Sequence, residues 1–174
     1  STNTFTEEAL EAFKNGGNLL YPDMDWYDYM FKDFALQSKT NLTISGGTEK
    51  VRYFTALGYT SQNGQLKDLD PRYDENFNFK RYNYRSNIDI DITESTLMKV
   101  TIGGATEIRN EPRTRKAGIW QEANWGQPMA GAGIVDGKWI LTSQDNIALE
   151  FKDPLDGYLG IGYNNETRNY LDFD

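Results

Sequence analysis

The sequence contains neither cysteine nor histidine. Without cysteine the chain has no disulfide and no thiolate metal site, which leaves the redox compartment open. Without histidine it has no Ser-His-Asp triad, no zinc site of the usual kind and no histidine general base. No motif positions a pair of carboxylates for glycoside hydrolysis either. The sequence therefore predicts no catalytic residues and a protein that is not an enzyme.

Long apolar runs and positive charge are also scarce. No run is long enough for a transmembrane helix, but a membrane-spanning β-strand needs only about 9 to 11 residues. The formal net charge is -8, and no segment is rich in lysine and arginine. A negative net charge without a basic segment argues against a nucleic-acid partner. Neutral glycans and peptides stay possible as ligands.

Aromatic residues, in contrast, are abundant. They make up 14% of the 174 residues and include eleven tyrosines and four tryptophans, although the mean hydropathy is -0.70. This combination is typical of amphipathic β structure. The length suits one ordinary domain with a core, and nothing in the sequence requires a second.

Two short helices are predicted before the first strand. The first covers residues 5–15, where Thr6 can cap the helix and two glutamates follow it. The second begins at Trp26 behind Asp25 as its cap and extends to about Asp33. Its aromatic residues form a stripe at helical spacing, which fits either packing against neighbouring structure or a ligand platform.

Two hairpins are predicted from alternating side chains. The stretch NLTISGGTEKVRYFTALGYTSQNG, residues 41–64, alternates apolar and polar residues on both sides of Gly46 and Gly47, whose permissive backbone suits a short turn. RYNYRSNIDIDI and LMKVTIGGATEI, residues 81–92 and 97–108, predict a second hairpin. Alternation alone does not distinguish lipid from a protein core as the neighbour of the apolar face.

Connection lengths alternate strictly between short and long. The connections at 46–50 and 93–96 are short, and those at 62–79 and 109–166 are long. Outer-membrane barrels have this asymmetry, with short turns in the periplasm and long loops outside. By this rule residues 1–38 are an external loop with two short helices, and residues 39–108 are barrel strands. Residues 109–166 are a long external loop, and residues 167–174 are the start of a further strand.

The order of three motifs resembles a known family. DWYDYMF, the stretch at 41–64 and RYNYRSNIDIDI resemble the start of the barrel in SusC/RagA-like TonB-dependent outer-membrane transporters of Bacteroidota. The resemblance runs from about residue 25 to residue 104. The final RNYLDFD is similar to a later strand of the same barrel.

The resemblance implies an all-β fold, as a segment of an antiparallel transmembrane β-barrel of roughly 22 strands. It also implies a bacterial outer-membrane location and the import of glycans or oligopeptides, with a plug, a SusD-like surface lipoprotein as lid and TonB as partners. The chain departs from a complete member, because it shows no plug, no TonB-box segment and only about five strands. We interpret it as a fragment whose last strand continues past residue 174. A soluble, secreted, β-rich carbohydrate-binding module is the alternative.

The charged strand residues are expected to face the lumen of such a barrel. An arginine near the middle of the bilayer costs about 2 to 4 kcal/mol, so the isoleucine face of residues 81–92 should meet lipid. Three tyrosines would then lie near the external strand ends, as an aromatic girdle: Tyr59, Tyr82 and Tyr84. In a soluble protein the same apolar residues would fill a core. Four residues are candidates for contact with the plug or with substrate: Arg52, Arg85, Asp89 and Asp91.

The long connections contain two weaker candidates. Trp120, Trp125 and Trp139 could contact substrate or lid, because aromatic faces suit sugar rings and partner proteins, and ordinary loop packing fits them as well. The acidic stretch DLDPRYDEN offers oxygen ligands for Ca²⁺ but lacks EF-hand spacing, so a solvated loop without cofactor is the preferred interpretation. Its candidate ligands are Asp68, Asp70, Asp74 and Glu75.

Overall fold

The computed structural model describes residues 5–69, 77–113, 116–141, 154–155 and 162–174. Contacts divide the chain into two compact units. No helix in these ranges combines the length and hydropathy needed to cross a bilayer. We call the first unit the helical unit, with the ranges Ser1–Asp33, Gln65–Asn76 and Pro112–Tyr163. We call the second the sheet unit, with the ranges Phe34–Gly64, Phe77–Glu111 and Asn164–Asp174.

The sheet unit is built on one five-stranded antiparallel sheet. Its strands are β1 (Gln37–Gly47), β2 (Val51–Asn63), β3 (Asn78–Thr93), β4 (Thr96–Pro112) and β7 (Tyr163–Phe173). They lie side by side in the order β1-β2-β3-β4-β7, so the first four pair in chain order. Strand β7 lies next to β4, and the backbones of Thr101 and Asp174 exchange two hydrogen bonds there, at 2.8 and 3.1 Å. The described chain is therefore mainly antiparallel β, in agreement with the predicted fold class at that level.

The turn of the first hairpin differs from the expected one. Gly46 and Gly47 end β1, and the turn itself consists of residues 48–50, where the Thr48 hydroxyl accepts a hydrogen bond from the Val51 amide at 3.2 Å. A Cβ at position 46 would approach the Tyr53 hydroxyl to 2.7 Å, and one at position 47 the Val51 carbonyl oxygen to 2.5 Å. The Tyr53 side chain at position 46 and the Val51 backbone at position 47, rather than turn conformation, therefore explain these two glycines.

The strand register produces two continuous faces across the sheet. Leu42 lies opposite Leu57, and Leu57 lies opposite Tyr84. Successive residues of a strand point to opposite faces, so the residues next to these along each strand lie on the other face. The register therefore preserves the two sets of side chains that the alternation predicts. The face that we call the apolar face includes Leu42, Ile44, Val51, Tyr53, Leu57, Tyr59, Tyr82, Tyr84, Ile88, Ile90, Met98, Val100 and Ile102. The opposite face is called the polar face below.

The helical unit contains α1 (Glu7–Lys14), α2 (Trp26–Met30), α3 (Lys116–Trp125) and a hairpin of β5 (Gly131–Val135) and β6 (Lys138–Leu141). α3 and this hairpin lie in the stretch that the sequence predicts as a long external loop. Thr6 caps α1, as predicted, by accepting a hydrogen bond from the Ala9 amide at 3.2 Å. The buried core consists of Trp26, Met30, Phe31, Leu66, Ile119, Ala123, Ala130 and Leu155.

α2 lies at the centre of this core and is shorter than expected. The Asp25 carboxylate accepts hydrogen bonds from the amides of Tyr27 and Asp28, both at 3.0 Å, which caps the helix as predicted. The helix ends at Met30, not near residue 33, because Phe31 becomes extended and forms a β-bridge with Leu66. Tertiary pairing therefore overrides the helical spacing of the aromatic stripe.

Candidate functional site

The apolar face of the sheet is unusually exposed for its composition. Leu42 retains 54% of its accessible surface and Leu57 retains 47%, although both are central in their strands. Contiguous apolar patches of this kind mark surfaces that meet a partner or a membrane. Tyr59 and Tyr82 lie opposite each other with ring centroids 4.9 Å apart, and Tyr84 is on the same face. The three tyrosines predicted to form a girdle are therefore close together on this face, although Tyr84 lies opposite Leu57, at the middle of β2.

Two pairs of polar side chains within the apolar face form hydrogen bonds with each other. The hydroxyls of Thr55 and Ser86 form a hydrogen bond of 3.0 Å between β2 and β3. Near the other edge of the sheet, the Thr106 hydroxyl donates to the Asn169 side-chain oxygen at 2.9 Å. Hydrocarbon offers no alternative hydrogen-bond partner, so pairing of this kind is what a lipid-facing surface requires.

Charge is almost entirely excluded from the apolar face. Among the described strand residues of the sheet unit, the register places every charged side chain except Lys80 on the polar face. Lys80 lies beyond Tyr82, near the end of β3 that is remote from the short turns. Long lysine side chains in such positions can extend their ammonium groups toward water. The two faces of the sheet are therefore suited to two different surroundings.

Three of the four predicted lumen residues are neighbours near the short turns. The Arg52 guanidinium donates two hydrogen bonds to the Asp91 carboxylate, at 2.8 and 3.1 Å, in a bidentate ion pair between β2 and β3. Asp89 lies directly opposite Arg52 on one side and Lys99 on the other. The charges at this end of the polar face thus alternate in sign from strand to strand.

Arg85 belongs to the same face but not to the same group. It lies further along β3, where its Nε donates a hydrogen bond to the Asn87 side-chain oxygen at 3.3 Å. Among the described residues it forms no ion pair. Its neighbour on β4 is Gly103, which has no side chain to pair with the guanidinium. Arg85 therefore has the geometry to contact a group outside this sheet.

A second charged group, absent from the sequence predictions, occupies the opposite end of the polar face. Arg81 pairs with Glu107 at 3.2 Å, and Arg168 pairs with Glu166 at 2.8 Å. Arg109 lies over the Phe79 ring, with its guanidinium carbon 5.4 Å from the centroid. The alternation in the sequence predicts that Arg81 and Glu107 lie on the polar face. The pairing of β7 with β4, which brings Glu166 and Arg168 to them, has no local signal in the sequence.

The three candidate tryptophans have different surroundings in the helical unit. Trp120 stacks on Phe31 with ring centroids 4.3 Å apart and planes inclined by 22°. Trp139 is partly buried against the same core. Trp125, in contrast, retains 73% of its accessible surface. Two of the three therefore contribute to packing, and Trp120 also lines a cleft that is described below.

The proposed calcium ligands are mostly beyond the described residues. Asp68 is described, whereas Asp70, Asp74 and Glu75 lie outside the described ranges. Within the part of the chain that the structure describes, no group of three or more acidic side chains is arranged to hold a metal ion. The weak calcium candidate is therefore untested, and a solvated loop without cofactor stays the preferred prediction from the sequence.

Comparison with known proteins gives a partial match to one class. No family model matches the chain. TonB-dependent receptor P26 of Formosa agariphila is 30% identical over 74 residues, which cover 42% of this chain and 7% of that receptor. Part of this chain is thus weakly similar in sequence to TonB-dependent receptors. TonB-dependent receptor P3 of the same organism is 28% identical over 102 residues, which cover 59% of this chain and 9% of that receptor. The matched part thus spans less than a tenth of either relative's length.

Proposed function

We propose that the sheet unit is part of the wall of a β-barrel in the outer membrane, within a TonB-dependent importer. The observation that carries this proposal is the two-faced sheet, whose apolar face is exposed and whose charges, with one exception among the described strand residues, are on the other side. The sequence similarity to TonB-dependent receptors supports it independently. A barrel of roughly 22 strands, as in SusC/RagA-like transporters, would need many strands besides these five.

The dimensions of the apolar face support a membrane-spanning role. From residue 82 to residue 92, β3 extends about 33 Å at about 3.3 Å per residue. A strand tilted by about 40° then rises about 25 Å, which equals the height of the apolar band of an outer-membrane barrel. Tyr82 at one end of this span is at the level where an aromatic girdle belongs.

The reverse orientation of the sheet is strongly disfavoured. If the polar face met lipid, Arg52, Arg85 and Lys99 would each point toward hydrocarbon. Each basic side chain near the middle of the bilayer would cost about 2 to 4 kcal/mol, and somewhat less near its edges. The proposal therefore assigns lipid to the apolar face and the lumen to the polar face.

Within this proposal, the charges near the short turns contact the plug or the transported substrate. Arg52, Asp89 and Asp91 already have oppositely charged neighbours in the wall. Arg85 has none among the described residues and is the first choice for an external contact. Plug contact is the simpler role, because a plug that fills the lumen must match the inward-facing charges.

The long connections define the proposed direction of the sheet. The two short turns, residues 48–50 and 94–95, join strand ends on one side, and the long connections join the ends on the other. In outer-membrane barrels long loops are extracellular, so the proposal assigns the helical unit to the exterior. There it would contact glycan or oligopeptide cargo and a SusD-like lipoprotein lid, while TonB would act on the plug-bearing part of the transporter.

Fractionation of cells that produce the native full-length protein tests this function. The expected result is recovery in the outer-membrane fraction, with release only by detergent, because the apolar face needs a lipid or detergent neighbour. Release from cells or membranes in plain buffer would contradict the proposal. That result would favour the soluble carbohydrate-binding module instead.

A further inference from the structure

A cleft of about 400 Å³ opens on the surface of the helical unit. Aromatic rings and carboxylates from α2 and its neighbours line it. The aromatic members are Tyr27, Phe31 and Trp120, and the acidic members are Asp25, Asp28 and Asp33. One basic residue, Lys32, is also in the lining.

The three rings of the cleft form a continuous aromatic surface. Phe31 stacks on Trp120 at 4.3 Å, and Tyr27 lies 4.9 Å from Phe31 and 5.4 Å from Trp120. Phe31 retains only 4% of its accessible surface, whereas Tyr27 retains 44%. Phe31 therefore supports the surface from below, and Tyr27 is accessible to a ligand.

The carboxylates give this aromatic surface a negative rim. The Asp28 side chain is 80% exposed and lies 3.8 Å from the Lys67 ammonium, which also donates a hydrogen bond to the Asp28 carbonyl oxygen. Asp25 uses one carboxylate oxygen to cap α2. Asp33 is exposed at the end of the segment that follows the helix. Three carboxylates, with Lys32 in the lining and Lys67 beside Asp28, leave a small excess of negative charge at the cleft.

The charge of the whole chain is concentrated in the same unit. The ranges of the helical unit contain 17 acidic and nine basic residues, whereas those of the sheet unit contain nine of each. The entire net charge of -8 therefore belongs to the helical unit. A cleft in a unit with an excess of one sign of charge raises the local concentration of ligands of the opposite sign.

We propose that this cleft binds a positively charged side chain, the ammonium of a lysine or the guanidinium of an arginine, presented by a peptide. A cation over the face of Tyr27 or Trp120 gains a cation–π interaction, and the rim carboxylates supply charge-assisted hydrogen bonds. A neutral sugar ring would gain nothing from the charge excess. The inference concerns the helical unit alone and does not depend on the proposed membrane role of the sheet.

Fluorescence anisotropy with a labelled tetralysine peptide tests the inference on the full chain in detergent solution. The labelled peptide should bind, and its affinity should fall about tenfold or more between low salt and about 0.5 M salt, because exposed charge attraction is screened. A labelled tetraglutamate peptide should not bind. An unlabelled neutral tetrasaccharide in excess should leave the tetralysine signal unchanged.

Substitutions locate the binding site. In the double variant Asp28→Asn with Asp33→Asn the affinity for tetralysine should fall roughly tenfold, and Tyr27→Leu should lower it by a similar factor. The control is Asp23→Asn with Asp136→Asn, which removes two exposed carboxylates of the same unit outside the cleft. This control should change the affinity less than about twofold. Circular dichroism would verify that each variant keeps its fold.

Three outcomes would overturn the inference. The first is the absence of tetralysine binding by the unaltered chain. The second is equal loss of affinity in the cleft and control variants, which would mean that only net charge matters. The third is displacement of the peptide by the neutral tetrasaccharide, which would identify a sugar site. Each of these leaves the fractionation test of the sheet unaffected.

Discussion

At the scale of single residues, the sheet shows how neighbouring side chains limit the choice at a position. Gly103 and Gly104 are adjacent in β4 and point to opposite faces of the sheet. A Cβ at position 104 would lie 2.7 Å from the Tyr170 carbonyl oxygen and 2.8 Å from the Tyr84 hydroxyl. A Cβ at position 103 would come no closer than 3.6 Å, an ordinary contact. Only at Gly104 is there too little room for a side chain.

This difference predicts opposite effects for two adjacent substitutions. Gly104→Ala should lower the free energy of unfolding by about 1 to 3 kcal/mol, because the backbone of β7 must move. Gly103→Ala should be neutral or slightly stabilising, because glycine weakens a strand interior. Thermal unfolding of the full chain in detergent, followed by circular dichroism, measures both. Equal effects of the two substitutions would contradict the close approach of β7 to β4 at Gly104.

At the scale of elements, each strand of the sheet separates two kinds of side chain. Leu42 and Thr43 are adjacent in β1, and both are exposed, but they belong to the apolar and polar faces respectively. In water an arginine would be tolerated at either position, since surface substitutions usually change stability little. In a membrane only the position on the polar face should tolerate it.

The pair Leu42→Arg and Thr43→Arg therefore distinguishes lipid from water. Leu42→Arg should destabilise the membrane-inserted protein by about 2 to 4 kcal/mol and reduce the amount recovered in the outer membrane. Thr43→Arg adds the same charge on the polar face and should leave recovery near that of the unaltered protein. Immunoblots of the outer-membrane fraction give the comparison. Similar recovery of the two variants would count against a lipid-facing Leu42.

The helical unit depends on α2 in a different way, through a closely packed core. Met30 is fully buried, whereas Leu20 retains 81% of its accessible surface. Met30→Ala should lower the free energy of unfolding by about 2 to 5 kcal/mol, since it removes buried apolar surface and leaves a cavity. Leu20→Ala, the control, should cost less than about 0.5 kcal/mol. Denaturant titration monitored by tryptophan fluorescence checks this, and equal midpoints would refute the assigned core.

The sequence predicts local features of this molecule better than distant ones. Period-two alternation is a local pattern, so it predicts directly on which faces Arg52 and Leu57 lie. The cap at Asp25 is also local, because it depends on the residue type at the start of the helix. The end of α2 does not, because Phe31 leaves the helix to pair with Leu66, which is distant in the sequence. The pairing of β7 with β4 is equally non-local. The sequence offers the aromatic stripe of α2 and Trp120 as separate candidates, but their meeting in one cleft has no local signal, since α2 and α3 are far apart along the chain.

At the scale of the whole molecule, charge and polarity divide the chain into parts with different surroundings. The sheet unit is neutral overall and confines nearly all charges of its described strands to one face, whereas the helical unit carries the net negative charge. The central claim is that the apolar face of the sheet meets lipid while the polar face meets water. The chain contains no cysteine, so single cysteines can be introduced without competing labels.

Spin labels at successive positions of β2 test this claim most directly. Single cysteines at residues 51–57 of the full-length protein in lipid bilayers would carry a nitroxide, and electron paramagnetic resonance would measure access of oxygen and of a water-soluble nickel complex. We expect labels at the odd-numbered positions to be more accessible to oxygen and those at the even-numbered positions to the nickel complex, with a period of two residues. Uniform access of the nickel complex to both sets, or the opposite phase, would contradict the account.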